Sequence, residues 1–120
     1  MFQIFHDGQH IGNSALETGD PPMGAAGGEF IPSNAFETFR ANVEPEPDNN
    51  DNIKRWAGLA LATSEGEPIE CIGVALFEYD FGDHMELEVD AVGIGYPLYE
   101  ELFPGRHAKY IASFVRKAKN

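Results

Sequence analysis

Glu86, Glu88 and Asp90 are separated by single apolar residues in Met85-Glu86-Leu87-Glu88-Val89-Asp90-Ala91, an alternation without a fault. That pattern marks a β-strand with one buried and one wet face, and it spaces the carboxylates about 7 Å apart on the wet side. Glu78 and Asp80 are expected on the neighbouring strand, extending the same acidic face. Clustered carboxylates can bind a hard cation or raise one another's pKa for acid–base work. A solvated face of an antiparallel sheet accounts for the same pattern without any chemistry. The third use is docking, with Glu78, Asp80, Glu86, Glu88 and Asp90 forming an acidic surface for a basic protein; this needs no pKa tuning.

Asp80, Asp83, His84 and Glu86 crowd a turn containing Phe81-Gly82, where carboxylate oxygens and one imidazole could hold a divalent metal. Their spacing matches neither an EF-hand loop nor a zinc motif, so this set ranks below the docking face. Asp80-Phe81-Gly82 spells a kinase tripeptide, but no lysine strand, glycine-rich loop or catalytic loop accompanies it. His6 and His10 frame a turn in which His6 would face Gln9 and His10 would face Phe5, which puts the imidazoles on opposite faces. His107 is expected at the surface. Cys71 lies in an apolar, strand-like run, where a thiol is inert, and the four serines stand outside any Gly-x-Ser-x-Gly elbow. Gly24-Ala25-Ala26-Gly27-Gly28 and Gly93-Ile94-Gly95 lack the Lys-Ser or Lys-Thr of a phosphate loop, and suit turns or close backbone approach. No cofactor is implied, no catalytic residue is assigned, and the balance leans away from an enzyme.

The elements that would position these groups follow from local pattern. Phe2 to Phe5 and Ile11 to Leu16 flank Asp7-Gly8, which predicts a type I′ hairpin. Thr18 to Gly24, with two prolines, is expected to be loop, and Ala25 to Ile31 a third strand. Asn34 and Glu37 have capping-box spacing, with Phe36, Phe39 and Val43 at helical spacing, so a short helix is expected there. Residues 44–52 hold no apolar side chain beyond two prolines and predict a flexible acidic connection. Arg55 to Thr63 and Ile69 to Tyr79 predict a second hairpin. Pro97 to Phe103 suits a short helix that Pro104-Gly105 breaks. From Arg106, the apolar residues Ala108, Ile111, Ala112 and Val115, with Tyr110 and Phe114 beside them, predict an amphipathic helix with a basic end.

Composition bounds the rest. At 120 residues with 42% hydrophobic side chains the chain forms one domain, 1–120, able to hold its own core. Its lone cysteine and its unremarkable first residues point to a soluble, cytoplasmic protein. Twenty acids against eight Lys and Arg give −12. All twenty acids precede residue 102, and only Arg40, Lys54 and Arg55 oppose them before Arg106; residues 1–105 therefore carry −17 and the remainder +5. That excludes nucleic acid and anionic membrane as partners of the body, because both need phosphate neutralised by basic side chains. The basic C-terminal helix could pair internally or meet the acidic face of a second copy, making a homo-oligomer.

The expected fold is α+β: an antiparallel sheet of about five or six strands, with a short central helix and a C-terminal helix packed on one face. The expected function is a non-enzymatic binding module docking or neutralising a basic protein, of inhibitor or immunity type. Its rivals are a small-ligand- or metal-binding domain or enzyme, with a pocket lined by Trp56, Phe77, Tyr79, Tyr96 and Tyr99, and a structural subunit of an assembly.

Overall fold

The computed structural model describes residues 1–47 and 49–119, with 114–119 described as backbone. The first hairpin forms as the Asp-Gly turn predicts: β1 (Phe2–His6) and β2 (Gln9–Ser14) meet with His6 opposite Gln9 and Phe5 opposite His10. Asp7 (φ 48°) and Gly8 (φ 80°) both take the left-handed backbone that matches the twist of the flanking strands. The two imidazoles do diverge, His6 onto the ring of Phe39 at 5.0 Å and His10 onto Phe5 at 5.4 Å.

Beyond Ser14 the chain changes sheet. It passes through Leu16 (φ 46°) into β3 (Thr18–Asp20), which pairs with β4 (Ala25–Glu29) in a second sheet. Thr18 to Asp20 was expected to be loop; the prolines follow the strand and occupy a short 3-10 turn, Pro21–Met23, where their missing donors are not needed. The chain then returns as β5 (Ile31–Pro32) to pair with β2. The second hairpin bends in the same way. Of its four strands, β6 (Ile53–Trp56) and β9 (Gly73–Asp80) pair in the second sheet, while β7 (Ala60–Ala62) and β8 (Pro68–Ile69) pair in the first.

The α+β class and the antiparallel pairing hold, and the strands divide into two sheets of five. Their orders are β5-β2-β1-β7-β8 and β3-β4-β10-β9-β6, with β10 (Met85–Val92) at the centre of the second. Bending the hairpin of β2-β3 with β4-β5 and that of β6-β7 with β8-β9 lets both halves of each turn their inner residues onto one core. Ile4, Ile11, Leu61 and Ile69 from the first sheet join Val74, Leu76, Val89 and Ala91 from the second in a single hydrophobic cluster.

The helices fill the remaining openings. In α1 (Phe36–Asn42), Phe36 and Phe39 pack with Phe30 and Trp56, as their spacing predicts. The predicted capping box does not form. Ala35 is the N-cap, and the entry is held by Ser33, whose carbonyl accepts from Phe36 N–H and whose hydroxyl donates to His10 O at 2.7 Å. The 44–52 connection is tied at two points: Glu46 N–H donates to Arg55 O, and Asn52 O accepts from Asp80 N–H; Asp48 lies outside the described residues.

α2 (Leu98–Leu102) buries Tyr99, whose hydroxyl donates to Ala25 O at 2.9 Å. The preceding helix does break before Pro104, at Phe103 (φ −132°, ψ 60°), and Pro104 begins α3 (Pro104–Lys119) two residues ahead of Arg106, since its fixed φ and absent N–H suit a first helical turn. The sequence placed this helix on a sheet face. In the structure it meets the body through its first turn, and residues 108–113 are exposed, because Tyr99 and Phe103 already fill the core positions nearby. A radius of gyration of 15.8 Å reflects that projection; a globular chain of this length gives about 13.6 Å. Among the described residues no helix is long and apolar enough to cross a membrane.

Candidate functional site

The β9–β10 register decides which carboxylates share a face. Glu86 is opposite Tyr79, Glu88 opposite Phe77 and Asp90 opposite Ala75, so the three acids of β10 project together from the outer face of the second sheet. Glu78 is opposite Leu87 and Asp80 opposite Met85, on the other face. A shift of one residue along a strand reverses the side to which it points. Glu78 is in fact buried, with Oε1 2.8 Å from Arg40 Nε and Oε2 3.7 Å from Lys54 Nζ, and it fastens α1 to the sheet. It is unavailable to a partner.

Asp80 is committed to its turn, its Oδ1 accepting from Gly82 N–H at 2.9 Å. His84 lies 2.7 Å from Asp83 Oδ1 and 3.6 Å from Glu86 Oε2. With Asp80 facing away, the four proposed ligands do not converge, and among the described residues no three of His, Cys, Asp and Glu group to hold a metal. The aromatic pocket does not assemble either. Trp56 is buried and donates to Val43 O at 2.8 Å, Tyr99 is core, Tyr96 lies beside His107 at 5.2 Å, and Phe77 and Tyr79 stack on the outer face of the second sheet. Cys71 sits between β8 and β9, half-buried, and burial pushes its thiol pKa up, the opposite of what a nucleophile needs. His107 is half-buried, within 3.2 Å of the Tyr96 hydroxyl.

The structure adds acids that the sequence pattern did not indicate. Glu29 on β4 stands directly opposite Glu88, and Glu17, in the bend before β3, accepts from Glu29 N–H at 2.8 Å. Gly28 makes room for it: a Cβ there would lie 2.2 Å from Glu17 Oε2. β10 runs on past the end of β4, whose last rung is Phe30 N–H to Leu87 O, because the chain then turns away into β5. An open groove of about 710 Å³ follows that step, rimmed by Glu17, Glu29, Glu86 and Glu88 and floored by Tyr79, Phe81, Met85 and Leu87. Phe81 and Met85 are exposed large hydrophobics, and Phe77, Tyr79, Phe81 and His84 stack in series, of which Tyr79 and Phe81 line the groove.

Its charged rim residues are all carboxylates. The Tyr79 hydroxyl donates to Glu88 at 3.3 Å, and burial, then Glu88 and Asp90, raise the phenol's pKa. Burial first and Glu88 second raise that of Asp90. All three cations before Arg106 pair with other acids: Arg40 and Lys54 with Glu78, and Arg55, whose guanidinium lies 5.8 Å over the Phe77 ring on the same face, with Glu46. Among the described residues Glu17, Glu29, Glu88 and Asp90 therefore have no Lys or Arg partner. No known family model, curated protein or solved structure matches the chain.

Proposed function

We propose that this protein is a non-enzymatic, cytoplasmic binding module that docks a basic protein segment in the groove rimmed by Glu17, Glu29, Glu86 and Glu88, in the manner of an inhibitor or immunity protein. The observation that carries this reading is the commitment of Arg40, Lys54 and Arg55 to Glu78 and Glu46, which leaves the rim without a Lys or Arg partner among the described residues. The floor suits the same occupant. Lys and Arg would place their heads among the carboxylates and their aliphatic stems along Tyr79, Phe81 and Met85. A field of this sign also steers a basic partner inward and speeds its association.

The test is the association rate of a Lys- and Arg-rich amphipathic peptide of about 16 residues, some 24 Å as a helix, with the protein at low and at moderate salt. The rate should fall as salt rises, and Glu86→Ala with Glu88→Ala should flatten that dependence. Rates that ignore both salt and the two substitutions would remove the groove from the function.

A further inference from the structure

The protein carries its own candidate for such an occupant. α3 repeats Ala108, Ile111, Ala112 and Val115 at helical spacing and adds Lys109, Arg116, Lys117 and Lys119. The side chains of Phe114, Val115 and the last basic residues lie outside the described residues, but those at 108–113 are all exposed, Tyr110 and Ile111 among them. An amphipathic helix whose apolar residues are exposed from Ala108 to Ala112 has an unused face over that stretch. Its root is held firmly: Arg106 Nη2 donates to Leu16 O at 2.8 Å, and the guanidinium lies 4.4 Å over the Phe103 ring. Anchored there and leaning on α2 and the Pro21–Met23 turn, α3 points away from the body and leaves its own groove open.

We infer that α3 docks in the acidic groove of a second copy of this chain, the two copies exchanging helices in a symmetric dimer. The claim rests on the groove reading above and names its occupant. Charge complementarity selects a second copy. The groove belongs to a stretch of −17 whose three cations are already used, and the helix brings Lys109, Arg116, Lys117 and Lys119 beyond its anchored Arg106. Beyond that anchored first turn the helix from Ala108 to Lys119 spans about 18 Å, which would lay Lys109 and the later basic residues along the rim carboxylates while Tyr110 and Ile111 meet Tyr79, Phe81 and Met85. A two-fold arrangement forms this contact twice and covers both unused surfaces.

Sedimentation of the full chain near physiological salt tests the dimer, with two reversed variants as probes. Glu86→Lys with Glu88→Lys makes the groove basic, and Lys109→Glu with Arg116→Glu makes the helix acidic. Each variant alone should associate at least about tenfold more weakly than the parent, and an equimolar mixture should recover the dimer because opposite signs then meet at both contacts. Glu65→Lys with Glu67→Lys, the same charge change in the distant 63–67 turn, should leave association as in the parent. A parent that stays monomeric, or a mixture that does not recover, overturns the inference. If the basic peptide still binds the groove of that monomer, the docking function stands without the dimer; if the peptide also fails, both fall.

Discussion

Glu88 on β10 stands directly opposite Glu29 on β4, two carboxylates in cross-strand register with no Lys or Arg beside either among the described residues. Like charges in that position are destabilising by a few tenths to about 1 kcal/mol. The sheet tolerates the repulsion where a cation at either place would remove it. Glu29→Gln should therefore raise stability by about 0.5 kcal/mol while weakening the basic peptide's binding. Urea unfolding and a peptide titration on the same variant measure both. A loss of stability would show that Glu29 supports the fold, and unchanged binding would separate it from the groove.

Glu78 makes the opposite case, an acid used wholly for the fold. It is 3% exposed and holds both Arg40 and Lys54. Breaking a fully buried pair costs about 3–5 kcal/mol, but both cations here are partly exposed and can rehydrate. Glu78→Ala should accordingly cost about 1–3 kcal/mol. Amide exchange should quicken most across Phe36–Asn42, the helix that Arg40 fastens. Peptide association at the groove should be unaffected near neutral pH, and a marked slowing would mean that the outer face senses this pair.

Asp90 supplies a pH dependence. Its carboxyl is raised above the ordinary value by burial and then by Glu88. An acid raised in the folded state binds its proton more tightly there than in the unfolded chain. Its contribution to stability is thus present below the ordinary carboxyl value and is lost as pH rises through the raised one. Asp90→Asn should be more stable than the parent at neutral pH, and the difference should vanish in acid. Denaturant midpoints of the two proteins across that range test the sign; a variant less stable at neutral pH would reverse it.

Two glycines separate backbone strain from collision. Gly24 (φ 60°) closes the Pro21–Met23 turn, and a Cβ there would lie 2.4 Å from Ile94 O, a backbone atom that cannot rotate aside. Gly66 (φ 87°) sits in the 63–67 turn with open space around it. Gly66→Ala should cost about 1 kcal/mol, the left-handed penalty alone. Gly24→Ala adds the clash and should cost about 3 kcal/mol or more. Thermal unfolding of both variants checks the order, and equal losses would mean that the Gly24–Ile94 approach relaxes freely.

What could be read without coordinates was whatever repeats over a few residues. Asp7-Gly8 specified its hairpin and the two rungs beside the turn, though not the register shift between Ile4 and Phe5; the alternation over 85–91 specified the outer face of β10, and Phe36 with Phe39 specified the inner side of α1. The Asn34–Glu37 spacing misled because a cap depends on where the helix begins, and with Ser33 tied to His10 and Phe36 it begins one residue later, with Ala35 as the N-cap. In β9, the acids were grouped with those of β10 by charge. A usable signal was present: Phe77 and Tyr79 alternate with Val74, Leu76 and Glu78, which makes Glu78 an inner residue once Leu76 is core.

The sequence alone determined the charge balance, the antiparallel α+β character, and which residues of β10 stand together, because these follow from composition and a two-residue period. Only the tertiary structure decided that the hairpins bend to make two sheets, that Glu78 turns inward to Arg40, and that Glu17 and Glu29 join Glu86 and Glu88 around one groove. Those residues lie some sixty to seventy positions apart in the chain. Which strand comes to lie beside β10 depends on burying one core with all ten strands at once, and no local period carries that sum.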